Sequence, residues 1–217
     1  MTTGSQSPLT PKSRPNWYQR LFAHMLASES KTSKQYYDAH KRALLGDLHG
    51  DVLEIGPGTG PNLGYYPRDV RWIGIEPNPA MFPHLQQEAQ RLGMNVQLRE
   101  GKSERLEADD NSVDAVVSTL VLCSVPDPQR TLQEIRRVLK VGGRFVFIEH
   151  VAAPHDSRSY RIQRLVKPLW KPFSDGCNPD RDTGATIEGA GFSRVHIDPF
   201  RLDIPIVAPH IAGYAIK

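Results

Sequence analysis

The chain has 217 residues, 39% of them apolar and 24% charged, a balance that suits one globular domain with a sizeable core. Its net charge of +3, from 27 basic and 24 acidic residues, is too small an excess for a nucleic-acid surface, and no basic run or interleaved aromatic strip supplies one. Two cysteines cannot build a disulfide framework and no window approaches the roughly 18 apolar residues of a membrane span, so a reducing, cytoplasmic setting is expected.

Residues 1–15 are rich in Ser, Thr and Pro and read as a disordered leader instead of a signal peptide. A single domain is expected over 16–217, with 16–47 as a helical cap on a sheet core of 48–217. Two amphipathic helices are expected in the cap, at 17–27 (Trp17, Leu21, Phe22, Met25, Leu26) and about 33–46 (Tyr36, Tyr37, Ala43, Leu44).

From Asp51 onward strands and helices alternate. Strands are expected at 51–55, 70–75, 96–99, 113–118 and 144–149. One helix follows Asn78, with Pro79 in its first turn and Met81, Phe82, Leu85, Ala89 and Leu92 on one face; another opens at Pro128 and ends at Gly142-Gly143. This alternation predicts an α/β doubly wound, mostly parallel sheet. Residues 194–198 and 211–216 read as two strands with no helix between them, hence an antiparallel pair at one edge of a seven-stranded sheet. Residues 154–173 fall outside the alternation and are a candidate for substrate-side structure.

The first strand runs into Glu54-Ile55-Gly56-Pro57-Gly58-Thr59-Gly60. Glycines there let the chain turn sharply and approach a ligand, at the strand end where open α/β sheets bind them. Glu76 ends the second strand and can accept hydrogen bonds from two ribose hydroxyls. The nicotinamide fingerprint Gly-x-Gly-x-x-Gly does not fit, because the spacing is Gly-x-Gly-x-Gly with Pro61 at the last glycine's place. Glu54 would repel a pyrophosphate but suits a cationic ligand such as S-adenosylmethionine (SAM). Asn62, Pro77 and Met81 belong to the same loops. Ser103 and Glu104 follow the third strand, where a carboxylate can accept the adenine amino group; Thr119, Leu120, Val121 and Cys123 follow the fourth and would line the methyl side. A solvated helix residue is the competing reading of Glu104, and apolar core that of residues 119–123.

At this point a resemblance appears. Glu-x-Gly-x-Gly-x-Gly, the acidic end of the second strand and Leu139-Lys-Val-Gly-Gly-Arg144 resemble the class I SAM-dependent methyltransferases over about residues 36–217. The runs 119–125, 132–139 and 149–152, with Asp175-Gly-Cys177 and Pro209-His-Ile-x-Gly-x-Ala-x-Lys217, are similar to the methyltransferase-like alkyl thiol S-methyltransferases of animals. The resemblance implies SAM as methyl donor, S-adenosylhomocysteine as product, and a small lipophilic thiol as acceptor. That family begins with an apolar membrane-anchoring segment, which this chain lacks, and usually carries Cys in place of Pro57.

Methyl transfer is an in-line displacement at carbon from an excellent leaving group, so positioning can supply ~7–11 kcal/mol. A thiol of pKa ~8.5 is already a few per cent thiolate at neutral pH, whereas an amine or phenol needs its proton removed. His150, Asp175 and His210 are the candidate bases, each with a structural role as the competing reading; Asp175-Gly176 also reads as a turn. Cys123 and Cys177 have no His or Cys neighbour in sequence, so a buried core role is expected for both and no metal site. Trp17, Tyr18, Trp170 and Phe173 are candidates for an apolar substrate pocket or for core. N-, O- or C-methylation of a small metabolite and a non-catalytic SAM-binding module remain open, as does the oligomeric state.

Overall fold

The computed structural model describes residues 13–217, apart from the side chains of 29–34. The expected leader lies almost wholly outside the described residues. Chain order is α1 (Trp17–Leu45), β1 (Asp51–Ile55), β2 (Arg71–Glu76), α2 (Phe82–Leu92), β3 (Val96–Glu100), β4 (Val113–Thr119), α3 (Pro128–Val138), β5 (Leu139–His150), α4 (Arg158–Phe173), α5 (Thr183–Glu188), β6 (Arg194–Arg201) and β7 (Pro209–Ile216).

The seven strands form one sheet in the order β3-β2-β1-β4-β5-β7-β6. β7 runs antiparallel to both neighbours, and the pairs from β3 through β5 are parallel, as the alternation of elements predicts. The strand order reverses between β1 and β4. Loops leaving these two strands therefore diverge and open a crevice at their carboxyl ends.

Side chains alternate across the sheet. Leu53, Ile55, Val116, Phe145 and Phe147 face one core with Leu132 and Ile135 of α3 and Ile187 of α5. Val52, Trp72, Val117 and Val146 face the other with Leu45 of α1 and Phe82 and Leu85 of α2. Each face is thus covered by amphipathic helices, and burial of the Leu, Ile and Phe side chains stabilises it by about 1.5–3 kcal/mol per residue.

Two local expectations are corrected, and one helix is added. The two cap helices are one: behind its N-cap Asn16, whose side chain accepts from Gln19 N–H while the Gln19 side chain accepts from Asn16 N–H in a capping box, α1 runs for 29 residues. The polar stretch at 28–34 loses the apolar period but contains no Gly or Pro to stop a helix. Gly142-Gly143 do not end α3, which stops at Val138; the pair lies in an irregular stretch of β5, where pairing slips from Val113–Leu139 to Ala115–Arg144. Finally α5, only six residues long behind its Asp182 cap, is too short to show a helical period.

Candidate active site

β1 ends in a turn whose glycines all have positive φ: Gly56 at 57°, Gly58 at 55° and Gly60 at 83°. A Cβ on Gly56 would meet Val121 Cγ2 at 2.6 Å, so the β1 and β4 loops touch there. A Cβ on Gly58 would meet nothing within 4 Å, so that backbone faces open space. The Gly58 and Asn78 N–H groups donate to the two carboxylate oxygens of Glu76, both at 2.9 Å. Burial, with help from Asp175 and Glu54, pushes the Glu76 pKa up to about 7.

Glu54 is buried and accepts from Asn62 Nδ2 (2.8 Å), Tyr66 Oη (2.7 Å) and Trp72 Nε1 (3.0 Å). Burial raises its pKa, and these three donors oppose the rise. Asn62 Nδ2 also donates to Thr119 Oγ1 at 3.0 Å, while its Oδ1 is buried without a partner. Of the sequence-derived residues, the structure brings Glu54, Gly56, Pro57, Gly58, Gly60, Asn62, Glu76, Thr119 and Val121 together at the switch point. Met81 is buried, and Pro77 and Leu120 are exposed. Ser103 turns its hydroxyl to Thr131 Oγ1 (3.2 Å) and so away from this group; Glu104 is half-buried beyond β3.

The amino-terminal end of α1 lies against the same rim. Asn78 Nδ2 donates to Gln19 O at 3.1 Å, and Asp175 N–H donates to Tyr18 Oη at 3.2 Å. Asp175 itself is exposed with φ of 46°, and partial burial raises its pKa. Trp17 and Phe173 are 76% and 77% exposed, so they line no closed pocket.

A second group lies at the carboxyl ends of β4 and β5. His150 Nε2 is 2.9 Å from Cys177 Sγ, and the Trp170 indole donates to the same sulfur at 3.2 Å. Cys123 completes the cluster: one donor atom from each of Cys123, His150 and Cys177 lies within 4.8 Å of the others. A hydrogen bond from Cys123, helped by His150 and Trp170, draws the Cys177 pKa well down, whereas that of Cys123 rises. Both cysteines are buried, as expected, but they share a cluster, because chain spacing says nothing about a histidine 27 residues away at the end of β5. Cys2His is a donor set that could hold a thiophilic ion, but N and S ligands of one zinc sit roughly 3.5 Å apart at usual bond lengths. At 2.9 Å the His150–Cys177 contact is a hydrogen bond.

His210 is also buried there, its ring 6.2 Å from that of His150. Ala208 O accepts from Nδ1 (3.1 Å), so Nε2 accepts from Tyr37 Oη at 2.9 Å. Burial lowers its pKa to about 4, leaving it neutral with both nitrogens engaged.

Sequence reasoning missed the residues that hold this group in place. Glu149, fully buried, accepts from Ser118 Oγ (2.6 Å) and from the Val121 and Leu122 N–H groups at 3.1 and 3.2 Å. Arg181 donates to the Leu122 and Val125 carbonyls (2.6 and 2.7 Å), and Asn178 donates to Cys123 O. Only the position of Glu149 at a strand end could have signalled it.

The pattern of the Methyltransferase domain family matches residues 53–147. The rat thiol S-methyltransferase TMT1B is 37% identical, over 90% of this chain and 86% of its own. The human thiol S-methyltransferase TMT1A is 39% identical over 76% of this chain and 70% of its own. The chain belongs to the TMT1 family of SAM-dependent methyltransferases. A solved Haloferax volcanii methyltransferase, in complex with the activator Trm112, matches the fold with a TM-score of 0.68 at 18% identity, covering 94% of this chain and 99% of that one. The methyltransferase is thus an enzyme that uses SAM and acts on a small molecule. No helix among the described residues is long and apolar enough to cross a membrane.

Proposed function

We propose that the acceptor is the sulfur of a small lipophilic thiol, and that the His150–Cys177 pair takes its proton. The observation that carries this reading is the buried 2.9 Å contact between the two side chains beside the β4 loop. The relatives named thiol S-methyltransferases support it.

The switch-point residues fit SAM. Asn62 Oδ1 is a buried acceptor without a partner, suited to the amino group of the methionine moiety, and the buried carboxylate of Glu54 adds favourable potential for a cation. Open space over Gly58 accommodates the donor's main body. Each Glu76 oxygen keeps a second acceptor direction for a ribose hydroxyl. We assign Pro77, Met81, Leu120, Val121 and Cys123 to the border of this space and Glu104 to its adenine end; Ser103, whose hydroxyl bonds Thr131, faces away. When bound, SAM supplies the methyl group and a neutral thioether leaving group.

The chain's own residues do the rest. His150 accepts the acceptor's proton at Nδ1, which is buried without a partner, leaving the acceptor sulfur as the nucleophile. Cys177, whose pKa is drawn well down, faces the other ring nitrogen at 2.9 Å and stabilises the imidazolium so formed. Glu149 and Arg181 pin the β4 loop, fixing the direction of attack. Asp175 at the rim and buried His210 beside His150 act as positioning residues.

Incubation with methyl-labelled SAM and matched thiols, amines and phenols tests this, with products identified by mass. Methylated thiols are expected; products from amines or phenols alone would refute the acceptor assignment.

A further inference from the structure

Helix α4 turns Gln163 and Lys167 inward, together with half-buried Val166 and Trp170. Gln163 is its one buried side chain, and no α4 residue joins the apolar cores. Polar contacts hold it down: Gln163 accepts from Ala153 N–H (2.8 Å) and donates to Ile206 O (2.9 Å), and Lys167 pairs with Asp180 at 2.8 Å. The outer side is apolar. Ile162, Leu165, Leu169 and Phe173 recur at spacings of three and four and are 50%, 79%, 73% and 77% exposed. A helix facing water carries the opposite arrangement, and a contiguous apolar patch of this kind marks a docking surface.

Charge selects the occupant. Arg158, Arg161, Arg164 and Lys171 are exposed on the same helix, which contains no Asp or Glu; Asp156 and Asp175 lie just beyond its two ends. Through Tyr18 and Asp175 its carboxyl end is tied to the start of α1, where Trp17 and Leu21 are exposed and Arg14 and Arg20 add positive charge. A second copy of the chain would set these cations against themselves.

We propose that the outer face of α4 docks on an anionic lipid bilayer surface, with the apolar stripe at headgroup depth and the arginines against lipid phosphates. Basic residues combined with a Leu and Phe stripe are the composition of helices that lie in that interface. Cys177 follows Phe173 by only four positions, so docking brings the candidate acceptor site close to a phase in which lipophilic molecules concentrate. The docking itself does not depend on which acceptor is methylated.

The test is co-sedimentation of the full chain with vesicles of phosphatidylcholine alone or mixed with phosphatidylserine. The protein should pellet with the mixed vesicles and less with the neutral ones. Binding should weaken at 1 M salt, where the screening length falls to about 3 Å from about 10 Å at 0.1 M. Leu165→Glu with Leu169→Glu should cut the bound fraction by roughly tenfold or more, and Arg161→Glu with Arg164→Glu should abolish the preference for phosphatidylserine. Circular dichroism and SAM binding verify that these surface variants are folded. Wild-type protein left in the supernatant with both vesicles, or apolar-stripe variants pelleting like wild type, would overturn the proposal. Self-association that the leucine variants abolish, without lipid binding, would overturn it too and assign the face to a second copy.

Discussion

His150 and Cys177 meet at 2.9 Å although 27 residues separate them, because β5 ends at one and the segment after α4 returns to the sheet at the other. Neither side chain faces bulk water, and Trp170 donates to the sulfur from a third direction. In this low-dielectric setting directed donors instead of water act on the sulfur and draw its pKa down.

Cys177→Ser should therefore lower kcat/KM for thiols by about 10²–10⁴-fold, the usual worth of positioned proton transfer. Its pH profile should change as well. Without the sulfur to hold the imidazolium, proton transfer to His150 weakens, and the rate should climb with pH towards the acceptor's own pKa of ~8.5. Wild-type rates and an unchanged profile in the variant would remove Cys177 from the reaction.

Gly58→Ala separates folding from cofactor binding. Its φ of 55° strains any other residue, costing about 1 kcal/mol, yet the new methyl meets nothing within 4 Å. The variant should fold with a slightly lower Tm and lose most SAM affinity in calorimetry. Unaltered affinity would show that the donor does not lie over this glycine.

Glu76 ionises at about 7, and its charged form is the better acceptor for ribose hydroxyls. SAM affinity should then rise between pH 6 and 8. Glu76→Gln should bind about tenfold or more weakly at pH 8 and flatten the dependence, since a hydrogen bond to a charged group is worth ~1.5–3 kcal/mol. Equal pH dependence in both proteins would argue against this role.

His210 carries a pKa lowered to about 4 from 6.5. Between these values the unfolded chain binds a proton that the folded chain refuses, so its contribution is present above pH 6.5 and fades as pH falls towards 4. Urea unfolding at pH 7 and pH 5 should show His210→Gln closing part of its stability gap to wild type at the lower pH. A gap that stays constant contradicts the buried neutral histidine.

How far sequence reaches differs between fold and site. The strands of the sheet are legible because Val52, Leu53 and Ile55, or Phe145 to Ile148, are runs whose only stable place is between two helical layers. The cofactor loop is legible because glycine spacing and Glu76 are local chemistry. Glu149 and Cys177 were not legible in their roles, since both read as a strand end or a core residue until their spatial neighbours are known. The outward face of α4 was hidden for a similar reason: Leu165 and Leu169 follow a helical period in either orientation, and only the burial of Gln163 reveals which side points inward.

The most direct measurement compares kcat/KM for an alkyl thiol with that for the alcohol and the amine of the same chain length, with SAM saturating. The thiol should be methylated at sulfur, with the alcohol and the amine slower by several orders of magnitude. Equal turnover of the three, or methylation of the amine alone, would contradict the assignment of Cys177 and His150 to a thiol acceptor.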